Sequence, residues 1–597
     1  MSSKNRNKAK NHPDAKSTSE TDSLSFDGIG QSSEESEAVE STKRKGGIRV
    51  FLIAMLSFVM LWVSFPPVGN WFPEFGLWWL AWIAPAPLIW LVFAEKLPGR
   101  RPYWQLYFAG MIYWLATFYF IPIPHSALWL AWFVLCVYLA VYIPALVGIS
   151  RTMVQTLKLP AVICVPVVWT GLEWIRGHFA TGHSFACLSH TQYEQPLLIK
   201  TADIFGAYTI TFAIVWVSIG FATLSWSIGK SLLGPDSGTN THSTWDRFVR
   251  TVTAFLMLAA VALYGKARLG EPIQYKSEAV AKLGLIQTSD DVLFKPLTDE
   301  QIDQMISDKR RLTLEAREQW NDLDLIIWPE SAFVPFADLL SDVNQETTVE
   351  ATGNANTKFW SHATGFPSEF ATPVPLLTGG QTQDPAKDTI FNAAFVVGTD
   401  GKVSDRYFKR HLVMVGEYVP LGEEIPWLEE MSPSKSINAG EEFKSIAING
   451  VNLAPNICFE STVPHFMLNQ VNSLSKNGAE PDVLINLTND GWFFGTSCLD
   501  LHLACNVMRA VELRKPHVVV SNTGFSANID TCGRILEQGP RRAEAVLRAE
   551  IRPIERASFY RQTGEVVPMA FGYISLAMLL IGFVHRLWTR GRDTPAG

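Results

Sequence analysis

Three polar residues with side chains suited to acyl transfer follow short apolar runs in the second half of the chain. They are Glu330 in WPES, Lys409 in YFKRH and Cys458 in NICFES. A cysteine thiol becomes a strong nucleophile when a base takes its proton, and Glu330 is a candidate for that base. Attack on a carbonyl group creates an oxyanion, which a cation such as Lys409 stabilises. Together the three residue types indicate covalent acyl-transfer chemistry that requires no histidine.

Each of these residues also has an interpretation without chemistry. An isolated buried cysteine is most often an inert, small apolar residue, so Cys458 alone is indistinguishable from a core residue. Trp-Pro-Glu could be a strand end and a turn, and Lys-Arg-His could be a solvated surface. The order Glu330, Lys409, Cys458 at the ends of separate runs favours a catalytic site over three unrelated residues. Only a structure can give the geometry of that site.

The segment that contains the three residues, about 269–565, predicts an α/β domain. Its apolar runs are short, and two longer polar stretches, 299–321 and 499–514, have helical patterns. The predicted strands are KLGLIQ (282–287), DLIIWP (324–329), PLLTGG (375–380), NAAFVVG (392–398), NLAPNIC (452–458), DVLINLT (482–488) and HVVVSN (517–522). Such mixed strands and helices form a two-layer or sandwiched α/β domain, and polar residues after buried strands are a common location for a site.

The first half of the chain predicts a helical membrane domain. Hydrophobic residues make up 48% of the chain and charged residues 18%, with 21 Trp and 36 Phe, which is typical of membrane proteins. A helix crosses the hydrocarbon core with about 20 residues. Eight apolar runs approach that length: about 48–66, 75–95, 104–123, 127–149, 160–178, 201–228, 250–268 and 566–586.

The distribution of Lys and Arg between these runs predicts the orientation in the membrane. Basic residues precede the first run and follow the second, fourth, sixth and eighth, whereas the connections VGNWFPE and IPIPHS contain none. Positive charge is retained in the cytoplasm, so both termini are expected there and the α/β segment outside. The connection after the fifth run weakens the pattern because it includes Arg176 and Lys200.

Four parts are therefore predicted along the chain. They are a disordered cytoplasmic tail at 1–46, seven transmembrane helices at 47–268, the outer α/β domain at 269–565, and an eighth helix with a cytoplasmic C-terminus at 566–597. The tail is assigned no fold because it is polar and has almost nothing to bury.

Neither the cysteines nor the charge indicates a metal, a disulfide framework or a nucleic-acid partner. The chain has seven cysteines and no CxxC pair. Cys498, Cys505 and Cys532 share the outer domain with Cys458 and are expected to be free, because their spacing forces no pairing. The net charge of -7, without a dense block of Lys and Arg, gives no reason to expect nucleic acid.

With these motifs the chain resembles the apolipoprotein N-acyltransferases, which are membrane members of the nitrilase superfamily. The resemblance rests on WPES, YFKRHLVMVGEYVP, NICFES and NLTNDGWFFGTS, in that order, in one domain between the seventh and eighth apolar runs. It covers about residues 48–586. The coupling of these motifs to membrane helices makes it specific, because most nitrilase-like amidases are soluble.

The resemblance implies a nitrilase αββα sandwich in which Glu330 is the general base, Lys409 stabilises the oxyanion and Cys458 is the acylated nucleophile. It implies supporting roles for Glu417, Phe459, Glu460, Asn489, Trp492, Arg509 and Glu512. The family moves an acyl chain from a phospholipid, through a cysteine thioester, to the α-amino group of a lipoprotein's diacylglyceryl-cysteine. No metal or soluble cofactor takes part. The implied location is the bacterial inner membrane, with the catalytic domain on the periplasmic side.

The sequence departs from the family pattern in four places. Phe459 stands where members often have Tyr, and Val520 where many have Arg. QTSDDVLFKP lacks the Gly-Asn and Trp of many members, and TGHSFACLSHTQ replaces a Trp-Leu-bearing segment. These departures concern substrate gating and acyl preference more than the chemistry.

Two other functions remain open at this point. A membrane-tethered nitrilase-type amidase would use the same three residues, and a lipid-binding or transport bundle would need none of them. Glu173 in the fifth run also has two interpretations. It is either functional, as an ionisable group inside a membrane helix usually is, or paired with Arg176 at the outer interface.

Overall fold

The structure of the protein is a computed structural model. It describes residues 47–66, 77–180, 182–237, 243–290, 292, 298–337, 374–384, 389–399, 403–420, 422, 424–425, 436–556 and 558–592. The predicted tail at 1–46, the connection VGNWFPE and part of QTSDDVLFKP lie outside these residues.

Apolar helices form the described chain before residue 270. They are α1 (Arg49–Ser64), α2 (Ala86–Phe93), α3 (Pro102–Thr117), α4 (Leu128–Ala140), α5 (Tyr142–Arg151), α6 (Ala161–His178), α7 (Pro196–Ile199), α8 (Ala202–Phe205), α9 (Tyr208–Leu224), α10 (Trp226–Leu233) and α11 (Thr244–Leu269). Many large apolar side chains on these helices face outward; Phe255, for example, is 65% exposed and Trp129 58%. Apolar surface of this kind marks a membrane protein.

Helix length differs among the eight predicted runs, although each of them contains helix. Among the described residues, Leu128–Thr156, Thr244–Leu269 and Val566–Trp588 are long and apolar enough to cross a membrane. Pro196–Phe205 with Tyr208–Leu224, bent by 117°, adds a fourth if the pair is one span. The second run divides near Pro85 into a 3-10 turn, Trp78–Trp82, and α2. Eight crossings therefore stay a prediction.

The predicted α/β domain is confirmed between α11 and the C-terminal helix. Its strands are β1 (Ala281–Gln287), β2 (Leu325–Ile327), β3 (Phe333–Ala337), β4 (Leu376–Asp384), β5 (Thr389–Val397), β6 (Val403–Phe408), β7 (Ile446–Ile448), β8 (Val451–Ile457), β9 (Val483–Asn489), β10 (His517–Asn522), β11 (Ala527–Ile529), β12 (Ile535–Gln538) and β13 (Ala545–Ile551). The helices are α12 (Asp299–Gln319), α13 (Pro464–Lys476), α14 (Cys498–Leu513), α15 (Phe559–Thr563) and α16 (Val566–Arg592).

The strands form two sheets that share one apolar core. The first has the order β13-β1-β2-β4-β5-β6, with β3 also paired to β4, and the second β12-β11-β10-β9-β8-β7. Leu285 and Ile327 of the first sheet pack with Ile457 and Leu487 of the second. On the outer faces α12 packs against the first sheet, and α13 and α14 against the second. This arrangement is an αββα sandwich.

Strand direction explains why the candidate residues meet. Strands β8, β9 and β10 are parallel neighbours, so their carboxyl ends share one edge of the second sheet. Cys458 directly follows β8 and Asn489 ends β9. In the facing sheet, Glu330 follows β2 and Lys409 follows β6. The ends of four strands therefore deliver their polar residues to the same region.

Candidate active site

Glu330 and Lys409 lie together in a buried polar cluster. The Glu330 side chain is 6% exposed and that of Lys409 is 1% exposed, and Lys409 Nζ lies 3.4 Å from Glu330 Oε1. The same ammonium group donates to Glu417 Oε1 at 2.7 Å. Asn392 Nδ2 donates to both carboxylates, at 2.7 Å to Glu330 and 3.2 Å to Glu417. One lysine is thus held between two carboxylates that one amide aligns.

Close backbone packing places Glu330 in this cluster. Gly379 of β4 passes next to it, and a Cβ at that position would lie 2.6 Å from the Cα of Glu330. A side chain at position 379 would therefore displace Glu330. From the other sheet, the Asn489 main-chain N–H donates to Glu330 Oε2 at 2.9 Å. Both oxygens of Glu330 therefore accept hydrogen bonds in fixed directions.

Cys458 begins a short 3-10 turn, Cys458–Thr462, directly after β8. Its φ is +50°, an unusual value for a residue other than glycine. Such strained residues persist where their surroundings hold them, and they occur often in active sites. Cys458 as a whole residue is partly exposed, whereas Glu460 and Ser461 of the same turn are buried. The start of the turn is therefore more accessible than its end.

The charges of the cluster act on the protons of Cys458 and Lys409. Burial and the charge of Glu330 raise the pKa of the Cys458 thiol well above its usual value, although Lys409 lowers it. Burial lowers the pKa of Lys409, but the charges of Glu417 and Glu330 outweigh burial and raise that pKa above its usual value. At rest the cluster therefore holds a protonated thiol beside an ammonium ion. Such a thiol needs a base before it attacks.

Glu460 connects the turn Cys458–Thr462 to β6 and to the residues that follow β6. Its carboxylate accepts from the Tyr407 hydroxyl at 2.8 Å and from the main-chain N–H groups of Ile457 at 2.7 Å, Arg410 at 2.7 Å and His411 at 3.0 Å. The residue is 0% exposed. Glu460 thereby fixes the spacing between the two sheets beside the site.

Asn489 and Trp492 lie on the neighbouring turn. The side-chain oxygen of Asn489 accepts from the Gly491 N–H at 3.2 Å and from Asn522 Nδ2 at 3.0 Å. Its main chain is the donor to Glu330 described above. Trp492 is partly buried in the turn Asp490–Phe493. Asn489 thus orients the carboxylate of Glu330 through its main chain.

Arg509 and Glu512 form a buried pair that joins the α/β domain to the bundle. Arg509 donates to both oxygens of Glu512, at 2.6 Å and 2.8 Å. Glu512 Oε1 also accepts from the Ala207 N–H at 2.7 Å, and Arg509 reaches the Thr462 carbonyl at 3.4 Å. The pair therefore connects the start of α9 to the end of the turn Cys458–Thr462.

Phe459 packs between the two parts of the protein. Its ring stacks on Phe185, with centroids 6.1 Å apart, and on His411, with centroids 5.8 Å apart. Phe185 belongs to TGHSFACLSHTQ, another place where the sequence departs from the family pattern. Two of the departures therefore contact each other, and an all-carbon ring at position 459 suits its place between two other rings.

Glu173 is engaged within the bundle. Its Oε2 accepts from the Thr211 hydroxyl at 2.8 Å, and its Oε1 from the Leu188 N–H at 2.9 Å and the Trp169 indole at 3.4 Å. Glu173 and Arg176 line one apolar cavity with Phe58, Tyr113, Trp114 and Leu146. The carboxylate thus joins α6 to α9 and to the segment that carries Phe185.

His178, His465 and Glu565 place possible metal-ligating atoms within 4.8 Å of one another. Glu565 Oε2 lies 3.0 Å from His178 Nε2 and accepts from the Trp174 indole at 3.0 Å. Its Oε1 accepts from the Tyr560 hydroxyl at 3.0 Å. Because the carboxylate already has these partners, we interpret the group as a hydrogen-bonded junction between α6, α13 and α16.

Three residues of the site carried no clear signal in the sequence. Asn392 and Tyr407 lie on strands β5 and β6, and they contact Glu330 and Glu460 respectively. His502 on α14 contacts the main chain of Cys458. The first contact lies within one sheet, the second joins the two sheets and the third comes from a helix. Only a polar residue on an otherwise buried element hinted at such a role.

Comparisons with known proteins cover both parts of the chain. The family described as apolipoprotein N-acyltransferase N-terminal domain matches residues 57–220, and the family described as carbon-nitrogen hydrolase matches residues 283–561. An apolipoprotein N-acyltransferase of Geobacter metallireducens is 30% identical over 534 residues, covering 87% of this chain and 93% of the relative. Another of Rhodopirellula baltica is 28% identical over 549 residues, covering 85% and 92%. Among solved structures, Saccharomyces cerevisiae Nit3, a member of the nitrilase superfamily, is similar with a TM-score of 0.33 and 17% identity, over 48% of this chain and 94% of that one.

Proposed function

The chain belongs to the apolipoprotein N-acyltransferase family, and from that premise we propose how its buried cluster acts. The protein is a membrane enzyme that acylates the amino terminus of lipoproteins. In our proposal Glu330 is the base, Lys409 the oxyanion-stabilising cation and Cys458 the nucleophile. The observation that carries it is the 3.4 Å contact of Lys409 with Glu330, both buried, beside a thiol whose pKa both charges influence.

The first half of the reaction loads the enzyme. Glu330 takes the proton from Cys458 Sγ, and the thiolate attacks an ester carbonyl carbon of a phospholipid. The new C–S bond leaves a negative charge on the carbonyl oxygen, which Lys409 Nζ stabilises. When this intermediate collapses the ester C–O bond breaks, and the leaving alkoxide takes the proton from Glu330. The products are a Cys458 thioester and a lysophospholipid.

The second half transfers the acyl chain to the acceptor. The α-amino group of a diacylglyceryl-cysteine attacks the thioester carbon and gives a proton to Glu330. A C–N bond forms, Lys409 again stabilises the oxyanion, and the C–S bond breaks. Cys458 leaves as a thiolate and recovers its proton from Glu330, so the enzyme returns to its starting state and the lipoprotein carries an amide-linked chain.

The paired carboxylates explain how one lysine serves this chemistry. Glu417 donates no proton in the proposed steps, but its 2.7 Å contact holds the ammonium of Lys409 in place and charged. Glu330, at 3.4 Å from the same ammonium, has the longer contact. The closer partner of Lys409 is therefore Glu417, which leaves Glu330 as the carboxylate for the proton transfers.

We further propose that the catalytic domain, about 269–565, lies on the periplasmic face of the bacterial inner membrane. In this arrangement seven helices within 47–268 and an eighth within 566–597 cross the bilayer, and both termini are cytoplasmic. Lys and Arg between the apolar runs support this orientation. Both substrates have long acyl chains, and removing them from the bilayer costs about 0.8 kcal/mol per methylene. A catalytic domain packed on membrane helices avoids that cost.

Intact-protein mass spectrometry tests the thioester. Purified enzyme incubated with phosphatidylethanolamine vesicles, without acceptor, is expected to gain the mass of one acyl group on Cys458. Cys458→Ala should gain none. Cys532→Ala, which removes another buried thiol of the same domain, should behave as wild type. If the wild type takes up no acyl group but hydrolyses a short amide, the membrane-tethered amidase is the correct function instead.

A further inference from the structure

A histidine that the proposed chemistry does not use lies directly against the nucleophile. His502 of α14 is buried, and its Nε2 lies 3.2 Å from the main-chain carbonyl oxygen of Cys458. The same nitrogen lies 3.2 Å from Ser461 Oγ. The other ring nitrogen, Nδ1, lies 2.9 Å from Asp490 Oδ1. The imidazole therefore bridges a buried carboxylate and the main chain of the nucleophile.

The Cys458 carbonyl oxygen is a crowded acceptor. Besides His502, Asn486 Nδ2 donates to it at 3.1 Å and Ser461 Oγ at 3.2 Å. This carbonyl belongs to the residue whose φ is +50°. Since a left-handed non-glycine residue persists only when its surroundings hold it, these donors fix the direction in which the thiol points.

Asp490 determines the protonation pattern of the ring. A carboxylate only accepts hydrogen bonds, so the His502 nitrogen that faces Asp490 carries a proton. Asp490 is held in turn by the Thr488 hydroxyl at 3.2 Å and the Ser521 hydroxyl at 3.1 Å. These contacts keep the carboxylate aimed at the ring and leave Nε2 directed at the Cys458 carbonyl.

The charged groups around the ring favour its doubly protonated form. Burial lowers the pKa of His502. Asp490 on the turn after β9, the hydrogen bond with the Cys458 carbonyl and Glu330 after β2 outweigh burial, so this pKa lies above its usual value. His517 on β10 adds no positive charge, because burial lowers its pKa to about 3. A doubly protonated ring donates through Nε2.

We propose that His502 is a positioning residue for the nucleophile: anchored by Asp490, it donates to the Cys458 carbonyl and keeps the thiol directed at the acyl donor. This role rests on the thioester mechanism proposed above. It adds one contact to that mechanism: His502 touches the main chain of Cys458 and not the reacting sulfur. The positive ring also favours the thiolate, so its loss should change thiol reactivity as well as acylation.

Two amide substitutions separate the donor role from simple space filling. In His502→Gln the amide nitrogen reaches the position of Nε2 and still donates to Cys458, whereas in His502→Asn it reaches only the position of Nδ1. We expect His502→Asn to slow single-turnover acylation of Cys458 from phosphatidylethanolamine vesicles by about 100-fold, which is the effect of a small misplacement of a reacting group. The lipid concentration that gives half the maximal rate should not change. His502→Gln should recover a large part of that loss. Cys505→Ala, on the same helix, should match wild type.

Alkylation of Cys458 by iodoacetamide gives a second readout that needs no lipid. Its rate is followed from pH 6 to 9 in full-length protein in detergent, with the other thiols monitored by peptide mass. We expect the profile of His502→Asn to shift to higher pH, and that of His502→Gln to shift as well because it lacks the charge. Wild-type acylation and alkylation in a folded His502→Asn variant would overturn the proposal, as would equal impairment of acylation in both folded variants. Failure of wild-type acylation alone would refute the thioester mechanism, and the alkylation profiles would then still decide the role of His502.

Discussion

Lys409 Nζ donates a 2.7 Å hydrogen bond to Glu417 Oε1, and this pair lies inside the protein beside the predicted base. The second oxygen of Glu417 accepts from the Val413 N–H at 2.9 Å. Hydrogen bonds therefore hold both carboxylate oxygens of Glu417, and the position of the Lys409 ammonium depends on this residue. The first prediction concerns this dependence.

Glu417→Gln should lower the rate of acyl-enzyme formation by about 100-fold, the usual effect of misplacing a catalytic group. The neutral amide no longer holds the ammonium of Lys409, so the ammonium moves toward Glu330 and away from the position in which it stabilises the oxyanion. Rapid-quench mass spectrometry of Cys458 measures the rate. Glu442→Gln, whose side chain is 76% exposed, is the matched control and should be unaffected. A normal rate in Glu417→Gln would show that Lys409 needs no second carboxylate.

Lys409→Arg should reduce turnover by orders of magnitude, as loss of an oxyanion donor does. The charge persists, but guanidinium is larger and planar, and the 1% exposed site between Glu330 and Glu417 has room for a compact ammonium. Steady-state transfer to a diacylglyceryl peptide is the measurement. Near-normal turnover in a folded variant would refute the role of Lys409 at the oxyanion.

Glu460→Gln should lower the free energy of unfolding by about 2 kcal/mol, the cost of leaving a buried donor unpaired. A carboxylate accepts from Tyr407, Ile457, Arg410 and His411, but an amide NH2 at this place would face another donor. Denaturant unfolding in detergent, followed by tryptophan fluorescence, measures the change. The proposed support role would be wrong if the stability of Glu460→Gln equalled that of wild type.

Acid should destabilise the protein partly through Glu480. Burial raises the pKa of this carboxyl, but Lys515, Arg561 and Lys276 outweigh burial and lower that pKa to about 2. Because the folded pKa lies below the unfolded value of about 4.3, the unfolded state binds more protons between these values. The stabilisation is therefore complete above about pH 5 and is lost as the pH falls toward 2. Thermal melts of wild type and Glu480→Gln should converge as the pH is lowered through this range; a constant difference between them would contradict the prediction.

Glu512→Ala should destabilise the protein by about 3 kcal/mol or more, because it leaves the buried guanidinium of Arg509 without its partner. It should also release the main-chain contact with Ala207 and so loosen the junction with the bundle. Limited proteolysis of the junction and thermal melting measure both effects. Removing the whole pair in Arg509→Met with Glu512→Leu should be milder than removing Glu512 alone.

The sequence by itself determined the class of reaction and the two parts of this protein, whereas the roles of single residues stay predictions. Apolar strands ending in Glu330, Lys409 and Cys458 indicate acyl transfer, because a thiol needs a base and an oxyanion needs a cation. The length of the apolar runs separates a membrane part from an α/β part, because a helix needs about 20 apolar residues to cross a bilayer whereas a buried strand needs only a short run. These signals are local, and the αββα sandwich and the apolar bundle follow from them.

Only the tertiary structure decided which side chains meet. The contact of Asn392 with Glu330 joins residues 62 positions apart, and the contact of His502 with the Cys458 carbonyl joins residues 44 positions apart. The stacking of Phe459 on Phe185 joins the α/β domain to the bundle. Such contacts depend on strand order, register and packing between sheets, which local propensity does not encode. Apolar composition likewise located eight runs but not the ends, breaks and bends of their helices. Those features are set by proline positions and by packing.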